Sequence, residues 1–195
     1  MSTDLTARPG PVPAGAGPGR VLGLSTPHLR TTADADAVAA RLAAVPGVPA
    51  GALVATSWVV GPPRHLALVV LAPEGTSLPD ALVADLVAAA GATGPDAAAV
   101  AARAAGGDAD RVVVLPGAEH LVGVLDVGEL LRRSAVDAVV GLGGLVVPDD
   151  AVVDTRGHVR PRLAGGRLLL DVQPARDGRW VPFESPVHRA CCSAH

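Results

Sequence analysis

The segment HLALVVLA, residues 65 to 72, limits what this chain can fold into more than any other stretch. Strand side chains point alternately to the two faces of a sheet, so a run that is apolar at almost every position is buried on both. The run before it, ALVATSWVV at 52 to 60, has nearly the same character, and GPPR between the two carries turn signals. The pair reads as a β-hairpin inside the molecule.

Helices flank this hairpin. ADADAVAARLAAV, 33 to 45, has helical spacing; Asp34 and Asp36 are placed to favour the N-terminal end of its dipole, and PGVP stops it. EGTSLPDALVADLVAAAG puts Pro79 and Asp80 in a first turn and Gly91 at the end of a second helix. A third helix is expected over 95 to 105, then a buried strand at RVVVLP, and a short helix at DVGELLRRSA with Asp126 and Glu129 spaced as in a capping box. In the last third the signals change. Turns at Arg156-Gly157, Gly165-Gly166 and Asp177-Gly178 separate short alternating runs, the mark of a β-meander. The fold class is therefore α+β (or α/β): a mixed sheet with flanking helices, then a small β-meander and a short C-terminal Cys/His tail. The organisation reads as a disordered leader over 1–20, rich in Pro, Gly and Ala; an α/β lobe over 21–140; a β-meander lobe over 141–185 packed on it; and a tail over 186–195. The soft boundary between the lobes falls near residues 136 to 148.

Composition narrows the function classes. Lys, Ile, Asn and Tyr are absent, and the initiator is the only Met. All four missing residues use A/T-rich codons, so the bias fits a GC-rich genome of actinobacterial type and says nothing about function. A net charge of −3 argues against a nucleic-acid partner. No apolar run approaches the ~20 residues of a membrane span. With no basic-then-apolar leader and only two cysteines, the chain reads as cytoplasmic with reduced thiols.

Those two cysteines sit in HRACCSAH, residues 188 to 195. Ser185 and Pro186 suit the start of a helix, on which His188, Cys191, Cys192 and His195 share one face. At ~1.5 Å rise per residue the two histidines stand about 10 Å apart. Donors around one Zn²⁺ must lie within ~2.0–2.3 Å of it. A regular helix thus supplies an i,i+4 pair, and the remaining ligands come from elsewhere, His158 and His120 or Glu184 and Asp171 being at hand. Zinc is the expected cofactor because sulfur and nitrogen donors suit it. The alternative is an inert tail whose cysteines pack as small hydrophobes.

A second constellation lies in HVRPRL. With a period of two, His158, Arg160 and Arg162 point to one face, and across the Gly165-Gly166 turn Arg167 and Asp171 join them if the strand register allows. Guanidinium forks match phosphate and carboxylate, so this face is a candidate anion or cofactor-binding site; otherwise it is a solvated sheet face. GLGG, 141 to 144, is a bend and no dinucleotide fingerprint. His28 and His65, beside apolar segments, read as structural. No Ser-His-Asp order, paired carboxylates or P-loop stands out.

Within residues 34 to 90, VPGV, VVG and LAPEG occupy a helix–strand–strand–helix order. This resembles the C-terminal subdomain of AMP-forming acyl-CoA synthetases, over under a third of the chain. That family uses a lysine in a GK motif, and this chain has no lysine. The resemblance implies a related α+β topology without ligase chemistry, and carries no site residues with it. Three functions are consistent with the sequence: a metal-binding protein using the tail, an enzyme acting on an anionic small molecule at the Arg/His face, and a non-catalytic scaffold or partner-binding domain.

Overall fold

The computed structural model describes residues 21–60, 62, 64–91, 94 and 96–184. It has an α+β fold built on two sheets. The first uses β1 (Val21–Ser25), β2 (Leu53–Val59), β3 (His65–Leu71) and β4 (Arg111–Val114) in the order β1-β3-β2-β4, all neighbours antiparallel. β2 and β3 form the expected hairpin, in register from Val59↔His65 to Leu53↔Leu71. Because β1 and β2 both run against β3, they are parallel to each other, and α1 (Thr32–Ala43) is the crossover between them. In the same way α2 (Asp80–Ala90) and α3 (Ala97–Ala105) carry the chain from β3 to β4, with β2 lying between those strands.

β3 is buried along its whole length, and its two faces meet different partners. Leu66, Leu68 and Val70 pack with Val38 and Leu42 of α1 and Leu82 and Leu86 of α2. Ala67, Val69 and Leu71 pack with Val100 of α3 and with the second sheet, including Leu168, Leu170 and Val172. α1 starts where the Thr31 hydroxyl accepts the Asp34 N–H at 3.1 Å. α2 ends at Gly91 with φ +64°, as its sequence position indicates. α3 lies against β1 because residue 23 is glycine: a Cβ there would overlap the Ala97 carbonyl oxygen.

The second sheet runs β5 (Val124–Asp126), β7 (Val152–Asp154), β10 (Trp180–Pro182), β9 (Arg167–Pro174), β6 (Ala138–Gly141), with β8 (Arg162–Ala164) also on β9. β7 and β10 are parallel, as are β6 and β9; the other pairs are antiparallel. β8, β9 and β10 are the expected meander. Each of the three turns carries consecutive residues with left-handed φ: Arg156 and Gly157 (52° and 64°), Gly165 and Gly166 (57° and 76°), Asp177 and Gly178 (61° and 69°). β5 and β6, with α4 (Val127–Arg133) between them, hydrogen-bond in this sheet too. The change of sheet thus falls between β4 and β5, earlier than composition places it, because strand partners and not local composition decide membership. The strand expected at HVRPRL is shorter than its alternation suggests. Val159, Pro161 and Leu163 are buried and His158, Arg160 and Arg162 are not, but Pro161 has no N–H for the ladder, and β8 begins only at Arg162.

Segment 161–163 also closes the gap between the sheets. The Ala109 N–H donates to the Leu163 carbonyl at 2.9 Å, Leu163 returns a bond to Ala109 at 3.0 Å, and the Val112 N–H donates to Pro161 at 2.7 Å. Backbone pairing is therefore continuous from β4 through this segment to β9. No helix among the described residues is long and apolar enough to cross a membrane.

Candidate functional site

The seam between the sheets holds a buried arginine, Arg111, and the partly buried charges that pair with it. Arg111 opens β4 and points to the α1 side of the first sheet, beside Thr56, its partner in register. Its residue is only 8% exposed. There it meets Asp36 of α1, with Nη1 2.7 Å from Oδ1. Its Nε and Nη2 edge holds the Glu184 carboxylate, at 2.6 and 2.5 Å. Glu184 arrives at the end of β10, where the Phe183 N–H extends the pairing to the Asp171 carbonyl at 2.9 Å. Arg160 reaches the far side of Asp36, with Nη2 at 2.9 Å and Nε at 3.1 Å from Oδ2. His158, placed by its N–H bond to the Thr155 carbonyl in the preceding turn, brings Nε2 to 3.3 Å from Glu184 Oε1.

Two guanidinium groups, two carboxylates and an imidazole from α1, β4, the approach to β8 and the exit of β10 thus form one network. Burial opposes ionisation of Asp36, yet the hydrogen bond and charge of Arg111, with the charge of Arg160, outweigh it, and the carboxyl sits below the ordinary aspartate value. Burial likewise opposes the charge on Arg111, but the bonds it donates to Glu184 and Asp36, with the charges of those carboxylates, overcome it and raise its pKa above the usual arginine value.

The sequence picks out part of this centre. His158 and Arg160 are in it; Arg162 is not among its bonds, and instead holds Asp171 across β8 and β9, Nε to Oδ2 at 2.9 Å. Arg111 and Asp36 are additions. Asp36 stands among the residues that suit the helix dipole, but Asp34 supplies the acidic first turn while Asp36 turns to the arginines. The available signal for Arg111 is a charge at the head of a strand that is otherwise wholly apolar, which demands a buried partner.

A Ser-His-Asp grouping absent from the sequence order does form in space. His65 Nε2 is 3.4 Å from Ser25 Oγ and 3.5 Å from Asp96 Oδ2. Both contacts fall on the same ring nitrogen, whereas a catalytic triad needs one partner on each. Ser25 is fully buried, so this grouping has the character of a packed polar contact. Asp126, Asp149 and Asp150, with Arg132, line an open cleft of about 750 Å³ beside α4. His120 is exposed on a short turn and pairs with its neighbour Glu119 at 3.5 Å.

The four tail residues read as metal ligands, His188, Cys191, Cys192 and His195, lie outside the described residues. Among the described residues no group of three or more His, Cys, Asp or Glu is arranged to hold a metal ion. Compared with family models, with curated proteins and with solved structures, the chain matches none of them.

Proposed function

We propose that the protein binds a small anionic ligand at the centre formed by Arg111, Arg160 and His158. The observation behind this reading is the convergence of Arg111 with the distant pair His158 and Arg160 on carboxylate oxygens that stay partly open to solvent: the Glu184 side chain is 30% exposed and that of Asp36 20%. A guanidinium fork held in a low-dielectric seam recognises planar or tetrahedral oxyanions more strongly than one in water. The centre supplies binding, and no reaction is assigned to it.

The test is a thermal-shift panel of inorganic phosphate, a nucleotide and small mono- and dicarboxylates. At least one should raise Tm, because a ligand that binds only the folded state stabilises it. Arg160→Ala should abolish that gain and Arg162→Ala should keep it. No shift with any member of the panel refutes the reading.

A second reading is a zinc site in the tail, using Cys191 or Cys192 with His188 or His195. What favours it is the His158–Glu184 pair: an imidazole and a carboxylate stand together where the chain leaves the described residues, four positions before His188. Elemental analysis of purified protein, with and without residues 188–195, decides it. Equal, metal-free results for both refute it.

A further inference from the structure

We propose that Glu184 occupies the ligand's own place, and that the ligand is a compound with a free carboxylate which displaces it. This rests on the reading of the centre as an anion site.

Two carboxylates hold positions there, and only one is suited to leave. Asp36 accepts bonds from both Arg111 and Arg160. It is carried by a helix fixed on both sides by buried Ala35 and Val38. Among the described residues Glu184 is held by one arginine, Arg111, and by the His158 imidazole at 3.3 Å. It is the more exposed of the two, and it follows Phe183, which is 59% exposed. Swinging Glu184 out with nothing in its place leaves the buried Arg111 short of a partner, so departure requires an anion to enter.

Charge then selects the class of ligand. Arg111 and Arg160 balance Asp36 and Glu184 one for one. A carboxylate entering for Glu184 keeps that balance, whereas a phosphate dianion adds a negative charge beside Asp36. Shape selects the same class. The Nε and Nη2 edge of Arg111 is engaged by both oxygens of one planar carboxylate, and an external carboxylate repeats that pairing.

Glu184 is tethered, so it competes as an internal ligand at an effective concentration of roughly millimolar or above. Removing its carboxylate should therefore tighten the hold on an external one. The experiment titrates wild type, Glu184→Ala and Glu184→Gln with sodium acetate, against sodium chloride at the same ionic strength, by calorimetry and Tm. Glu184→Ala is expected to bind acetate at least about tenfold tighter than wild type, with a Tm rise that chloride does not give. Glu184→Gln, a neutral and weaker competitor of nearly the same shape, is expected to gain by a smaller factor, and it tests the idea alone if the alanine variant does not fold. Equal responses to acetate and chloride in the variants, with the wild-type response to the anion panel intact, overturn the stand-in and leave the anion site. An acetate gain in the variants with no wild-type response to any panel member removes the external ligand and leaves Glu184 a permanent occupant.

Discussion

Arg111 brings a full charge to a position 8% exposed, where it is stable only while its partners remain. Deleting one member of such a network leaves the other charges buried and unpaired. Arg111→Ala should cost about 3–5 kcal/mol, read from urea unfolding. Arg162→Ala should cost far less, since Arg162 and Asp171 form a pair that is 39% and 27% exposed and screened by water. A comparable loss for both would remove the distinction between the seam and the rim. The depressed pKa of Asp36 gives the pH dependence its sign. Its contribution to stability is complete above the ordinary aspartate value of 3.8 and is lost as pH falls through the lower folded value. Wild type should therefore lose more stability than Asp36→Asn on acidification below 3.8, and parallel losses would refute this assignment.

At the scale of the element, β9 shows how far alternation can be trusted. Leu168, Leu170 and Val172 are buried while Leu169 and Asp171 are half-buried and Arg167 is exposed, as the period of two requires. Leu170→Ala should cost about 2–4 kcal/mol, and a near-neutral result would mean that this face is not core. Gly23→Ala should loosen α3 from β1, because the Ala97 carbonyl occupies the space a Cβ needs; an unchanged Tm would refute that contact. The helices, the β2–β3 hairpin and the three turns are legible in the sequence because their causes are local: spacing, caps and left-handed residues. β1, β5 and β6 are not, since strands of three to five residues owe their existence to distant partners. The seam divides in the same way. His158 and Arg160 sit two apart and are read together, whereas Asp36 and Arg111 are 75 positions apart, and only the fold puts them in contact.

For the whole molecule, one hydrophobic core runs from Ala67 and Val69 of the first sheet to Leu168 and Leu170 of the second. The pairing of Ala109 with Leu163 adds a backbone link. The two sheets should therefore unfold together. Each holds one of the chain's two tryptophans, Trp58 in β2 and Trp180 in β10. Fluorescence of Trp180→Phe and Trp58→Phe variants thus reports one sheet each. After correction for the stability change of each substitution, their urea transitions should coincide with the loss of circular dichroism. Two separated midpoints would show independent lobes.

The seam also sets a timetable for synthesis. β4 ends at Val114, but the segment that covers its outer edge, residues 161 to 163, is made about fifty residues later. At ~5–20 residues per second, that edge waits roughly 3–10 seconds for its partner. A nascent strand of Val112, Val113 and Val114 with one side unpaired is a template for neighbouring chains on the same message. Arg111 at its head puts a charge on that edge during the interval, before Glu184 has been translated to meet it.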